Sequence, residues 1–229
     1  TFIYLRGWKV NSYKFSNAVV TGGTRGIGKA ISIKLAELGY NVISCDRKTG
    51  DLSTDEGIDK LVNSLDIDID VFINNAAFTK FIPHENLDEL DDETFDKIFN
   101  VNVKAPFKLV KKLKNKFTEN ACIINIASVA GITGMGSNIA YCASKAGVIS
   151  MTKSLARCLA PIRVNSVSPG LIKTDFVKFP PEYYDSTIEK TPVGRYGLPK
   201  DVAEVVVGLV QSKFITGENI IVDGGRILN

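Results

Sequence analysis

Tyr141-Cys-Ala-Ser-Lys145 sets a phenol and an ammonium four residues apart, which on a helix places both on one face. A nearby ammonium favours tyrosinate and so lowers the tyrosine pKa towards working pH. Tyr141 then qualifies as a general acid for a carbonyl or a general base for an alcohol. A bare pair at this spacing recurs by chance, and its surroundings give it weight. Ser128 lies thirteen residues earlier, just after the apolar run Cys122–Ile126. Loops at the carboxyl edge of a parallel sheet reach the ligand crevice. Asn74-Asn-Ala-Ala77 follows another apolar run and reaches the same edge.

A second constellation is Thr21-Gly-Gly-Thr-Arg-Gly-Ile-Gly28, between a short apolar run and a helical pattern. Gly22 permits a tight turn, Gly26 lets backbone approach a pyrophosphate, and Gly28 lets the helix pack close. Thr24, Arg25 and Ile27 complete the loop, and the helix amino end turns free N–H groups and a positive dipole towards the phosphates. The acidic partner of such a loop belongs about twenty residues on, and Asp46 stands there, after Val42-Ile-Ser-Cys45. Its carboxylate can accept from ribose hydroxyls and repels a 2′-phosphate. Arg25 and Arg47 pull the other way. Asp46 weighs more, because a carboxylate against a dianion is a strong repulsive element. The expected cofactor is therefore NAD, with NADP the alternative.

These residues need a scaffold that gathers strand ends. The chain alternates strand and helix: strands at Asn17–Thr21, Asn41–Cys45, Val71–Ile73, Cys122–Ile126, Arg163–Val167 and Ile220–Val222. Helices are expected at Gly28–Leu38, Asp91–Leu113, Ala140–Leu159 and Lys200–Gln211. That alternation predicts an α/β fold, a Rossmann-like doubly wound parallel sheet with helices on both faces. No repeat or linker divides it. The acids between Glu85 and Asp96 read as a solvated helix start. The lysines from Lys104 to Lys116 read as a dipole-favoured helix end rather than a nucleic-acid stripe.

The whole chain sets bounds. It has 229 residues, 45% apolar and 23% charged, with net charge +3, which excludes a disordered chain and gives no reason to expect nucleic acid or an anionic membrane as main partner. Cys45, Cys122, Cys142 and Cys158 lie far apart and read as free thiols of a reducing, cytoplasmic compartment. The single histidine, His84, leaves no His-rich metal site, and a Ser-His-Asp triad only if His84 serves it. The uncharged run Ala121–Ser144 holds glycines and a turn-like middle and does not read as a membrane span.

Taken together, the motifs resemble the short-chain dehydrogenases/reductases of compact subunit type. Those that carry the resemblance are Thr21-Gly-x-x-x-Gly-x-Gly28, Asn74-Asn-Ala, Asn102 within Asn100-Val-Asn-Val, Ser128, Tyr141-x-x-x-Lys145, Pro169-Gly170 with Thr174, and Ile215-Thr-Gly217 leading to Val222-Asp-Gly-Gly225. The resemblance runs from about residue 16 to 227 and implies one catalytic domain over 16–229, about seven strands, and an extension over 1–15.

It also implies roles. Tyr141 is the acid/base, Lys145 binds the nicotinamide ribose and lowers the Tyr141 pKa, and Ser128 bonds the substrate oxygen. Asn102 holds a relay water behind Lys145. Asn74 and Ala76 line the cofactor, and Asp51-Leu52 contacts adenine. Pro169, Gly170, Ile172 and Thr174 flank the nicotinamide. The expected partners are a small alcohol or carbonyl compound and further copies of the chain, in a homotetramer or else a homodimer paired through the long helices.

The chain also departs from the family. Ala77 replaces a glycine, and only four residues separate Asp46 from Asp51, so a connecting helix is missing and the adenine edge is expected to be more open. The turn before Ile162 is short. The segment Leu171–Glu189 corresponds to the family's substrate lid; Phe176, Phe179, Pro180, Pro181, Tyr183 and Tyr184 there suit a substrate with an apolar part. Two other functions compete with an NAD-dependent alcohol/carbonyl oxidoreductase. One is an NADPH-dependent 3-oxoacyl-[acyl-carrier-protein] reductase, against which stand Glu119 and Asn120 where a basic docking residue is wanted. The other is a dinucleotide-binding scaffold without chemistry, against which stands the full set Asn102, Ser128, Tyr141 and Lys145.

Overall fold

The computed structural model describes residues 16–177 and 187–228. They build one six-stranded, all-parallel sheet in the order β2-β1-β3-β4-β5-β6. The strands are β1 (Asn17–Thr21), β2 (Asn41–Cys45), β3 (Ile69–Asn74), β4 (Phe117–Ile126), β5 (Arg163–Pro169) and β6 (Asn219–Val222). The inner strands read as unbroken apolar runs because both faces are covered. Ala18, Val20, Val71 and Ile73 face one side. There they meet α1 (Gly26–Glu37) and α7 (Pro199–Gln211). Val19, Phe72 and Ile123 face the other, against α2 (Asp55–Ser64), α4 (Ala105–Leu113) and α6 (Ile139–Cys158).

The sheet has six strands rather than the seven expected. Residues 46–54 join β2 directly to α2 through turns. A parallel crossover needs a dozen residues or more, so no strand fits in this interval and β2 becomes the sheet edge. Helix α2 lies outside the sequence-based expectations. Thr54 caps it by accepting from the Gly57 N–H at 3.1 Å, and Ile58 and Leu61 bury its inner face.

The helix expected over Asp91–Leu113 divides into α3 (Asp92–Phe99), a π-helical turn over Asn100–Lys104, and α4. Asp91 caps α3, accepting from the Thr94 N–H at 2.7 Å, which accounts for the acidic start. Three of the lysines pair across the surface rather than forming a free stripe: Lys108 with Asp55, Lys112 with Asp59 at 2.6 Å and Lys116 with Asp66 at 3.6 Å. All four cysteines are free thiols; Cys45, Cys122 and Cys142 are buried and Cys158 is exposed. Trp8, Phe179, Pro180, Pro181, Tyr183 and Tyr184 lie outside the described residues.

Candidate active site

A cleft of about 760 Å³ runs along the carboxyl edge of the sheet. It brings together Gly22, Thr24, Arg25, Gly26, Ile27, Asp46, Arg47, Asp51, Leu52, Ala76, Ser128, Tyr141, Lys145, Pro169, Gly170, Ile172 and Thr174. Gly28, Asn74 and Asn102 stand behind its wall.

The glycine turn is held by contacts that reach across the sheet. Gly22 and Gly26 have φ of +65° and +53°, the left-handed region where a side chain is strained. A Cβ on Gly28 would lie 2.2 Å from the Gly22 carbonyl oxygen, so only glycine lets α1 close onto the turn. Asn75, not Asn74, is the asparagine of this site. Its Nδ2 donates to the Thr21 and Gly22 carbonyls at 3.0 and 3.1 Å, and it lines the cleft. The buried Thr21 hydroxyl accepts the Asn75 and Ala76 N–H groups at 3.0 and 3.1 Å. Asn74 is the last residue of β3 and turns to the opposite face, where its Nδ2 donates to Asn125 Oδ1 at 2.9 Å. Strand alternation carries the signal that separates the two: Asn74 follows Phe72 in phase, away from the turn.

The turn fits a dinucleotide. Helix α1 has no side-chain cap and no acid in its first turn, so its leading N–H groups stay open towards the cleft. At the β2 end, Asp46 Oδ1 accepts the Lys48 and Thr49 N–H groups at 2.9 and 3.2 Å, and these bonds hold its carboxyl below the usual range. Arg47 is committed to Asp51, Nε to Oδ2 at 2.8 Å. Ser53 gives Asp51 two more hydrogen bonds, which with Arg47 bring it down to about 2. Arg25 is exposed and pairs with no acid among the described residues.

Tyr141 enters from the first turn of α6. Asn138 caps that helix, its Oδ1 accepting the Tyr141 N–H at 2.7 Å. The Asn138 amide donates in turn to Thr79 Oγ1 and the Lys80 carbonyl, at 3.2 and 2.7 Å, tying the helix start to the loop after β3. Asn138 was not among the sequence candidates, although its place at the head of the helical pattern is a capping signal. Ser128 Oγ accepts the Ala130 N–H at 3.1 Å and lines the same cleft as Tyr141. Lys145 is buried, its Nζ donating to the Ile126 carbonyl at 2.8 Å and lying 5.6 Å from the Tyr141 ring centre.

The electrostatics differ from the expectation that Lys145 lowers the Tyr141 pKa. Burial pushes the Tyr141 phenol up to about 12, and the Ser128 hydrogen bond only partly opposes it. Burial also draws Lys145 down to about 8. Both shifts have one cause, the exclusion of water from charged forms.

Asn102 sits in the π-helical turn and is buried. Its Oδ1 accepts the Phe78 N–H at 2.8 Å, and its Nδ2 donates to the Phe78 carbonyl and Ser144 Oγ at 3.1 and 3.0 Å. Ser144 Oγ donates to the Tyr141 carbonyl at 2.8 Å. Asn102 thus joins the loop after β3 to the Tyr141 helix through its side chain, outside the cleft wall.

A parallel sheet with a glycine turn after β1, a serine after β4, and a tyrosine and a lysine on helix α6 is the architecture of a Rossmann-type oxidoreductase. A family model described as short chain dehydrogenase matches residues 16–56, and one described as Enoyl-(Acyl carrier protein) reductase matches residues 49–226. The chain belongs to the short-chain dehydrogenase/reductase family. It is 37% identical to the 3-oxoacyl-[acyl-carrier-protein] reductase FabG of Rickettsia bellii, over 92% of this chain and 96% of that protein. Among solved structures it resembles 4-hydroxyisoleucine dehydrogenase complexed with NADH, with TM-score 0.79, 31% identity and coverage of 93% of this chain and 99% of that one. It also resembles the angucycline C-6 ketoreductase LanV with bound NADP, with TM-score 0.82, 26% identity and coverage of 93% and 96%. The chain is an oxidoreductase of the nicotinamide-dependent kind. No helix among its described residues is long and apolar enough to cross a membrane.

Proposed function

We propose that the protein interconverts a secondary alcohol and a carbonyl compound with NAD(H), Tyr141 acting as the acid/base. The observation that carries this reading is the convergence of Ser128, Tyr141 and the buried Lys145 on one cleft at the carboxyl edge of the sheet. The nicotinamide, when bound, supplies or takes the hydride. In the reducing direction Tyr141, protonated at neutral pH because its folded pKa is near 12, gives its proton to the oxygen that gains charge. Ser128 donates to the same oxygen and stabilises that charge. Lys145 and the open amino end of α1 hold ribose and pyrophosphate. Asp51 and Leu52 lie towards adenine, Ala76 lines the cofactor, and Pro169, Gly170, Ile172 and Thr174 flank the nicotinamide. NAD(H) is favoured because Asp46 is ionised at the β2 end while Arg47 is neutralised by Asp51.

The second reading is NADPH-dependent reduction of a 3-oxoacyl carrier-protein thioester, supported by the identity to FabG. A homo-oligomer paired through α3, α4 and α6 accompanies either reading. Phe95 and Phe107, 38% and 46% exposed, supply apolar surface for it.

Tyr141→Phe tests the mechanism. Turnover should fall by about a thousandfold, within the span of general acid–base catalysis, while NADH still binds. Undiminished turnover would sink it.

A further inference from the structure

We propose that Lys97 is a specificity residue that reads a carboxylate on the substrate, so that the preferred substrate is an oxo or hydroxy acid rather than a neutral ketone. The inference rests on the oxidoreductase reading and narrows it.

Lys97 lies on α3, which packs against α6, the helix that carries Tyr141. It lines the cleft and is half-buried, with Nζ 4.8 Å from the Phe78 ring centre. Phe78 is the residue whose backbone Asn102 clamps, and Asn102 leads through Ser144 to the Tyr141 carbonyl. The ammonium is therefore seated on a ring whose backbone is tied to the Tyr141 helix through Asn102 and Ser144. It forms no ion pair with any described residue.

The surroundings favour an anionic group over a neutral polar one. Phe78 lies under the ammonium, and Val101, Met135 and Phe176 are further apolar side chains of the same cleft. The hydroxyls there are already committed: Thr79 and Ser137 bond one another at 2.6 Å, and Asn138 donates to Thr79. Lys145 is spent on the Ile126 carbonyl. Lys173 and Asp175, on the loop after β5, are of opposite sign. An ammonium over an aromatic face, without an ion-pair partner among the described residues and in a cleft rich in apolar side chains, gains most from a carboxylate joined to an apolar chain. One point charge suits a monoanion; no second cation is contributed by α3 to suit a phosphate dianion.

The test compares levulinate with methyl levulinate, and a longer homologue of each, on wild type, Lys97→Arg and Lys97→Met with cofactor in excess. For at least one chain length, kcat/KM for the free acid should exceed that for the ester by about tenfold in wild type. Lys97→Arg should retain the ratio and Lys97→Met should bring it to about unity. Equal use of acid and ester at every length, or a preference that survives in Lys97→Met, would overturn the proposal. If none of these compounds is turned over, they do not support the proposed reaction, and calorimetry with hexanoate and cofactor-loaded protein decides the carboxylate site by itself. Binding lost in Lys97→Met upholds the carboxylate site; no binding to wild type overturns it.

Discussion

Lys145 donates to the Ile126 carbonyl at 2.8 Å and has no carboxylate partner among the described residues. An ammonium in that position costs stability, since one neutral hydrogen bond does not replace its hydration. The same pocket keeps Tyr141 protonated. The pair is arranged so that each would relieve the other's burial only after the phenol loses its proton.

A pH dependence follows from the sign of the Lys145 shift. Its folded pKa, about 8, lies below the ordinary 10.5 of a lysine. Below pH 8 both folded and unfolded chains hold the proton and the full burial penalty applies. Between these values the unfolded chain binds more protons, so stability rises with pH. Lys145→Met should therefore raise the melting temperature of the cofactor-free protein at pH 7, and its advantage should shrink as pH rises from 8 to 10.5. Paired thermal scans across that range check it, and a constant or growing advantage would contradict the burial argument.

The proposed preference for NAD(H) rests on Asp46 and on the ion pair beside it. Asp46→Asn keeps the acceptor for the Lys48 and Thr49 N–H groups and removes only the charge. The ratio of NADH to NADPH affinity should fall about tenfold, near the low end of what a repulsive charge contributes. Asp51→Asn should shift the ratio the same way by releasing Arg47 from its 2.8 Å contact. Calorimetric titration with both dinucleotides measures the ratios; an unchanged ratio in both variants would remove Asp46 and Arg47 from the selection.

Much of this site is legible in the residues because its parts are local. A glycine turn declares itself by spacing, and the Tyr141–Lys145 pair by helical period. What the sequence conceals is set by distant contacts. The single helical pattern over Asp91–Leu113 has no internal break, yet Asn102 is drawn to Phe78, 24 residues away, and the helix widens there into a π turn. Asn74 and Asn75 look alike in a string; strand phase sends one to Asn125 and the other to the glycine turn. The nearest charge in the sequence points to a lowered Tyr141 pKa, whereas burial in the folded pocket prevails and raises it. Helix α2 was missed although Thr54, Ile58 and Leu61 mark its cap and inner face, because its remaining residues are mostly polar.

Gly28 is expected to bear on both stability and cofactor binding. An alanine methyl would meet the Gly22 carbonyl at 2.2 Å and Asn75 Nδ2 at 2.5 Å. The first contact is backbone and cannot be turned aside. Gly28→Ala should destabilise the protein by about 1–3 kcal/mol and open the glycine turn, weakening NADH binding by more than the loss of stability explains. Urea unfolding and calorimetry separate the two effects. Normal NADH affinity in a folded Gly28→Ala protein would show that the turn tolerates displacement.

Arg163 is a buried cation placed for architecture rather than chemistry. Its guanidinium donates to the Leu209 and Val210 carbonyls at 2.8 and 2.9 Å, and to that of Ile215 at 3.5 Å, and so closes the carboxyl end of α7. Those carbonyls have no onward helical partner, and the helix dipole makes a positive charge there favourable. Arg163→Met preserves the length of the stem and removes every donor. It should cost about 1–3 kcal/mol in urea unfolding, because the Val210 carbonyl loses its donor, while Leu209 keeps the weak Cys122 thiol and Ile215 keeps Asn165 Nδ2. Turnover per folded molecule should hold, since Arg163 does not line the cleft. A loss of turnover at full folding would mean instead that α7 reaches the site through the β5 loop, and would move Arg163 from scaffold to positioning residue.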